Sequence, residues 1–504
     1  MDDEKNFPET VVRPASPIDE KTSRASVGSH GETYHPQHAA AHTADLALLE
    51  GDRINLEDVD PKELRRVRWK IDLAIMPPLM LCYFFQYLDK TAIAYANLFD
   101  FQTANNLKGQ DFAWLGSIFY IGYLVWQPFA AWLLVRVNIK LHFGVAILVW
   151  STCLGCMAAC HNFAGLAACR FLLGCAESAM LPICGSVTGM WYTRNEQSVR
   201  VGIWYSMVGW GTIFGGLISY GMYAMPAGVL AKWQFIFVLL GPLTFVYGIY
   251  VILVVPASPA RAWFLTPRER LIALERIREN KTGTTGTGIR WYQVREAFCD
   301  PRIYLCALSV FAVSVPNGGV TSFSAVLIQG FGFDKRMTSL VGMSGGASEI
   351  VGMALATMLA YKMHSRFWPG IIGVLIGIAG AGVMLGLPPQ EKVGRMVGMV
   401  FVYWFPIGMM LFIPWIQSMT AGATKRATFY CMYQLFYAAG NLAGGQTFRA
   451  KEAPIYQSAR IAILVGLCVH AATMAAIYVL HRIWNAKRDK LPPVVEEDNI
   501  EFKE

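Results

Sequence analysis

Residues 233–255 read WQFIFVLLGPLTFVYGIYVILVV. No charged side chain interrupts this run, and its length matches the roughly 20 residues that a helix uses to cross a hydrocarbon core. Runs of the same kind precede it at 72–97, 112–134, 141–161, 163–190 and 201–224. Others follow at 302–329, 337–362, 367–387, 395–416, 424–446 and 458–482. The pattern predicts an all-α membrane protein with about twelve transmembrane helices. Composition agrees, since 54% of the residues are apolar and 15% are charged, against about 25% charged in soluble domains. The chain also has 15 Trp and 21 Tyr, many near the ends of runs, where interfacial belts form.

This patterning excludes a soluble enzyme. No metal-ligand cluster, phosphate loop or nucleophile motif is present, so neither a metal nor a cofactor is expected. No nucleic-acid partner is expected either. Most of the 11 Cys lie inside apolar runs, where they act as small hydrophobes. Cys153 and Cys156 form a CxxC in the middle of a run. Without a second pair they are not read as a zinc or redox site.

The runs fall into two equal groups around a polar stretch, which suggests two six-helix halves that arose by duplication. The expected organisation is a disordered cytosolic tail at 1–65, a six-helix half at 66–255 and a linker at 256–301. A second half at 302–484 and a tail at 485–504 complete it. The first 60 residues are polar and contain no apolar h-region, so no cleavable signal peptide is expected. Lys62, Arg65, Arg66, Arg68 and Lys70 precede the first run, and Arg482, Lys487, Arg488 and Lys490 follow the last. Loops on that side hold Arg136, Lys140, Arg194, Arg200, Lys362, Arg366, Lys425 and Arg426. The excess of positive charge puts both ends and the linker on the cytosolic side. Within the linker, Thr266-Pro267-Arg268-Glu269 is a capping box with Pro at the first helical position. The amphipathic surface helix that follows is expected to end at Thr282-Gly283. The sequon Asn280-Lys281-Thr282 is expected to stay unmodified on the cytosolic side.

A charge inside a bilayer helix is costly and marks a candidate site. Asp89 and Lys90 lie in the first run, Arg170 and Glu177 in the fourth, and Glu349 in the eighth. Glu177 follows Arg170 by nearly two turns, so the two share a face about 10 Å apart. Arg170 suits a carboxylate bidentately and Lys90 adds a point charge. Glu177, near the midplane, suits proton exchange. The alternative is an ion-pair network that locks the first helix to the fourth. Glu349, with Gly345 and Gly346 before it, is a further proton-coupling candidate or a structural partner. Asn317 lies in Pro316-Asn317-Gly318-Gly319, a run expected to break the seventh helix at the cavity. Tyr430, Tyr433, Gln434, Tyr437 and Asn441 form one polar-aromatic face of the eleventh. From these, Asn317, Tyr433, Gln434 and Asn441 join Arg170 and Lys90 as substrate-binding candidates. Gly211, Gly215 and Gly216 read as close helix packing.

Several motifs carry a resemblance. They are Arg170-Phe171-Leu172-Leu173-Gly174 with Glu177 and Pro182, and Trp191-Tyr192-Thr193-Arg194-Asn195-Glu196-Gln197. Ser258-Pro259, Phe264-Leu265-Thr266 and Asp300-Pro301 follow. Later come Pro316-Asn317-Gly318-Gly319, Gly330-Phe331-Gly332-Phe333, Gly440-Asn441 and Gly445-Gln446, with Pro454 and Tyr456. Over roughly residues 65–485 the chain resembles the fungal allantoate permease family, which belongs to the anion:cation symporters of the major facilitator superfamily. The resemblance implies the major facilitator fold and proton-coupled symport of a small organic anion across the plasma membrane by a monomer. It implies that Asp89 and Glu177 match acidic proton-coupling positions and that Arg170 matches a carboxylate-binding arginine. Lys90 stands where sugar-acid relatives carry Arg. In Gly211-Thr212-Ile213-Phe214-Gly215-Gly216, Thr replaces the Pro of drug exporters, which weighs against multidrug antiport. Export of a fungal carboxylate metabolite and a transporter-like nutrient sensor remain the alternative functions.

Overall fold

The computed structural model describes residues 55–490 apart from 227, 229, 279–289, 364, 421–422 and 489. Residues 1–54 of the expected N-terminal tail and 491–504 of the C-terminal one lie outside the described residues. So do Thr282-Gly283 and the sequon. The described residues form helices and connecting turns, with no strand among them.

Helix α1 (Pro61–Ala96) begins well ahead of its apolar run, inside the segment expected to be tail. Asp60 caps it, its side chain accepting from the Lys62 backbone N–H at 2.9 Å, and Pro61 occupies the first turn. Helices α2 (Asp111–Arg136) and α3 (Ile139–Cys156) follow their runs closely. The fourth run is two helices, α4 (Phe163–Glu177) and α5 (Met180–Trp191). Pro182 explains the break directly after Glu177, because it has no N–H for the Ser178 carbonyl four residues back. The fifth run is α6 (Arg194–Tyr205) and α7 (Met207–Ala224), and α8 (Lys232–Val254) is the sixth. A capping box between Thr193 and Glu196 starts α6, so Arg200, expected in a loop, is helical.

The linker contains α9 (Pro267–Arg278), started as expected by Thr266: its hydroxyl accepts from Glu269 N–H at 3.3 Å, and the Glu269 carboxylate accepts from Thr266 N–H at 3.0 Å. A second helix, α10 (Trp291–Cys299), was not foreseen. Next come α11 (Pro301–Gln329), α12 (Lys335–Met363) and α13 (Phe367–Gly386). The tenth run divides into α14 (Lys392–Val402) and α15 (Phe405–Met419), and α16 (Ala423–Gln446) and α17 (Gln457–Arg488) end the fold.

Eleven spans among the described residues are long and apolar enough to cross a membrane. The remaining long helix, α16, falls outside that set because it is the most polar-aromatic of the runs. Its packing keeps it in the bundle: it lies along α11 and α2. The close approaches are made by glycine. A Cβ on Gly122 would run into the carbonyl of Phe171, and one on Gly174 into that of Phe119, so α2 and α4 meet backbone to backbone. Gly209 of α7 and Gly346 of α12 do the same, and Gly215 and Gly216 pack against Tyr95 and Met343, as their spacing predicts.

Candidate functional site

The central cavity lies among α1, α2, α6, α7, α11, α12, α15 and α16, with the first turn of α5 at its edge. Its volume is about 60 Å³, enough for a few waters but far below the several hundred Å³ of an open ligand pocket. The lining side chains therefore leave little free space around the polar centre.

Lys90 reaches this cavity from α1. Its ammonium lies 3.3 Å from the Glu177 carboxylate and 5.1 Å above the Phe119 ring. Glu177 is fully buried behind it. Tyr83, Gln86 and Tyr87 line the cavity beside Lys90. Together they have the spacing i, i+3, i+4, i+7, one face of a helix. That periodicity is the sequence signal for these three uncharged residues.

Asp89 is the next residue back on α1, about 100° around the helix, and faces the other way. It is fully buried among α1, α3 and α8, where it accepts from Trp150 Nε1 at 2.9 Å and Thr244 Oγ1 at 3.0 Å. Asp89 thus stands apart from the cavity that its neighbour lines. Arg170 is also set behind the wall, only 2% exposed, and its Nε and Nη2 have no hydrogen-bond partner. Tyr120 of α2, 2% exposed, also has an unpartnered hydroxyl.

The wall from α11 and α16 is neutral. Asn317 donates to Tyr437 Oη at 3.2 Å and to Asn441 Oδ1 at 2.7 Å. Asn441 donates to the Tyr437 carbonyl at 2.7 Å. Of the expected residues here, Asn317 and Tyr433 line the cavity. Asn441 and Gln434 are fully buried behind them, Gln434 donating to Tyr123 Oη at 3.1 Å. The expected break of this helix at Pro316-Asn317-Gly318-Gly319 is corrected: α11 runs unbroken through it. Gly318 serves packing instead, because the Asn441 backbone occupies the space where a Cβ would sit.

Glu349 lines the cavity from α12, 1% exposed, with no hydrogen-bond partner for either carboxylate oxygen. Tyrosines 205 and 403 flank the same space and had no sequence signal of their own. No group of three or more His, Cys, Asp or Glu suited to a metal occurs among the described residues.

Comparison with known proteins gives this arrangement a context. The model of the Major Facilitator Superfamily matches residues 79–445. An uncharacterized transporter of Schizosaccharomyces pombe is 33% identical over 431 residues, 85% of this chain and 82% of that one. The allantoate permease of Saccharomyces cerevisiae is 32% identical over 477 residues, covering 91% and 88%. Among solved structures, a bacterial homolog of the human lysosomal transporter Spinster superposes with a TM-score of 0.60 at 15% identity, over 86% of this chain and all of that one. The solved structure shares the fold, and the sequence relatives are transporters rather than enzymes. With a family model spanning most of the chain and relatives aligned along most of their length, this multi-pass membrane protein belongs to the Major Facilitator Superfamily.

Proposed function

We propose that the chain carries a small organic anion together with protons across the plasma membrane, with both chain ends cytosolic. The observation that carries this reading is the Lys90–Glu177 ion pair, 3.3 Å long, with Lys90 on the cavity side and Glu177 behind it. A carboxylate entering the cavity competes with Glu177 for the ammonium. Once Lys90 turns to the substrate, Glu177 is a lone carboxylate in low dielectric, and protonation removes that cost. Anion and proton are then taken up together, and loss of one favours release of the other.

Arg170 adds positive potential behind the pair. For its guanidinium to grip the substrate directly, the cavity has to widen beyond its present volume. Glu349 is the second proton carrier in this scheme, since neither of its carboxylate oxygens has a hydrogen-bond partner among the described residues. Asp89 acts through position: its two donors anchor the segment of α1 that presents Lys90. Asn317 and Tyr433 meet the neutral part of the substrate, and Gln434 and Asn441 hold that wall from behind. The permease among the relatives is named for allantoate, an organic anion, which supports the substrate class.

Purified protein in liposomes, given labelled carboxylates under a pH gradient of either direction, tests this. Accumulation driven by an acidic exterior supports symport. Movement only against the proton gradient supports the export reading, and movement indifferent to pH overturns the coupling.

A further inference from the structure

The CxxC at Cys153 and Cys156 has no second pair in the sequence, but folding brings two other thiols together at the same end of α3. Cys160 follows the short helical turn Met157–Ala159 that ends α3, and Cys169 lies on α4. Their sulfurs are in contact at 3.9 Å, and both residues are half-buried free cysteines. The contact has a cause in the chain. A Cβ on Gly165, in the first turn of α4, would lie 3.2 Å from Cys160 Sγ and 3.6 Å from Cys160 Cβ. The missing side chain leaves room for Cys160 to lie on α4, and Cys169 comes one turn later on that face. Cys160 also donates to the Cys156 carbonyl at 3.4 Å, a weak bond for a thiol donor.

Access sets this pair apart. Cys82 and Cys184 have the same 3.9 Å separation, but both are fully buried in the core. Cys160 adjoins His161 and Asn162, which are exposed, so a small uncharged oxidant can reach it. With both chain ends cytosolic, as proposed above, α3 runs outward and this turn lies on the side where disulfides persist.

We propose that Cys160 and Cys169 form a disulfide when the protein meets a peroxide, a modification that clips the α3–α4 turn to α4 directly ahead of Arg170. The Cys160 thiolate attacks one peroxide oxygen, the O–O bond breaks, and the other oxygen leaves as water. The Cys169 thiolate then displaces the hydroxyl of the resulting sulfenic acid, which forms the S–S bond and a second water. Two thiols and one hydrogen peroxide thus give one disulfide and two waters, with two electrons passing from the sulfurs to the peroxide. The site is distinct from the central cavity and does not depend on what the protein transports.

The test uses the purified full-length protein, reduced, freed of reductant and treated with graded hydrogen peroxide. After unfolding in denaturant, free thiols are alkylated with one reagent. Disulfides are then reduced and alkylated with a second reagent of different mass, and peptide fragmentation places both labels on individual cysteines. The second label is expected on Cys160 and Cys169 together, while Cys82 and Cys184 keep the first. Cys160→Ser should lose the second label from Cys169, and Cys169→Ser should lose it from Cys160. Gly165→Ala displaces Cys160 and should shift half-conversion to higher peroxide. If a variant does not fold, the labelling pattern of the unaltered protein decides alone. First label on both cysteines throughout the series, pairing of either with Cys153 or Cys156 instead, or equal conversion of Cys82 and Cys184 overturns the proposal.

Discussion

The two walls of the central cavity are built on different principles. On the first group of helices, three of the four buried charges are committed to one another or to fixed donors, Lys90 to Glu177 and Asp89 to Trp150 and Thr244, with Arg170 set behind them. On the second, α11 and α16 offer a neutral amide and phenol network around Asn317, and α12 offers one carboxylate, Glu349, that nothing holds. Strong, buried, pairwise electrostatics makes the first wall rigid and sensitive to any change of charge. The second wall has hydrogen bonds of modest individual worth, which can be exchanged for bonds to a guest. The asymmetry suggests that charge coupling belongs to one side and substrate shape to the other.

The hardest blow to this comparison would come from Lys90→Met. It leaves Glu177 buried without its cation, a change typically worth about 3–5 kcal/mol, and removes the group on which the substrate anion is proposed to bind. Both the unfolding temperature and proton-driven uptake should collapse. Adding Glu177→Gln should restore stability and not uptake. Glu349→Gln is the counterpart: with no partner to strand, it should leave stability unchanged or raised while altering the pH dependence of uptake. If Lys90→Met and Glu349→Gln cost the same stability, the two walls are not different in kind.

Asn317→Ala probes the neutral wall. It deprives the buried Asn441 Oδ1 of its donor, which costs about 1–3 kcal/mol, less than the loss of the ion pair. Apparent substrate affinity should fall while uptake still follows the proton gradient. Loss of the pH response in this variant would place coupling on both walls.

The membrane helices were legible because a span must satisfy its own backbone and hide its side chains, and both demands leave a mark on the linear sequence. Even α16 was found, though its polar-aromatic face makes it less apolar than the others. Charged candidates were legible for the same reason. Direction was not. Asp89 and Lys90 are adjacent in sequence and equally conspicuous, yet one faces the core of the first six helices and the other the cavity. Only the rotation of α1 against its neighbours decides that. The break after Glu177 was written in Pro182, whereas α11 runs whole through Pro316. A proline or glycine states what the chain permits, and packing decides whether it is used.

Outside the cavity, Thr266→Ala removes the hydroxyl that caps α9, a change worth about 1 kcal/mol. Uptake should be preserved, since α9 lies in the linker between the two groups of helices and contributes no residue to the cavity. Transport lost in a folded Thr266→Ala protein would make the linker part of the mechanism.

The smallest effect separates this outer clamp from the buried pair by its response to pH. Glu269 of α9 accepts from Lys70 of α1 at 2.7 and 2.8 Å and from the Thr266 backbone N–H at 3.0 Å. Burial alone would push its carboxyl up, but the Lys70 ammonium and the Thr266 donors outweigh it and hold the group below the usual range. A carboxylate with a depressed value stabilises the fold at every pH above its unfolded value, about 4.3. That contribution is lost as pH falls further, through the folded value. The unfolding temperature should therefore drop on acidification below about pH 4.3, and Lys70→Met should flatten part of that drop. Lys70 keeps 31% of its side chain exposed, so salt should also weaken the effect, as it does for surface pairs. The Lys90–Glu177 pair is far less exposed, at 12% and 0% of the two side chains, so the penalty for Lys90→Met should depend less on salt. Unfolding of both variants measured across pH and ionic strength distinguishes the two kinds of pair, and an equal salt dependence would show that the cavity pair is as open to solvent as the clamp.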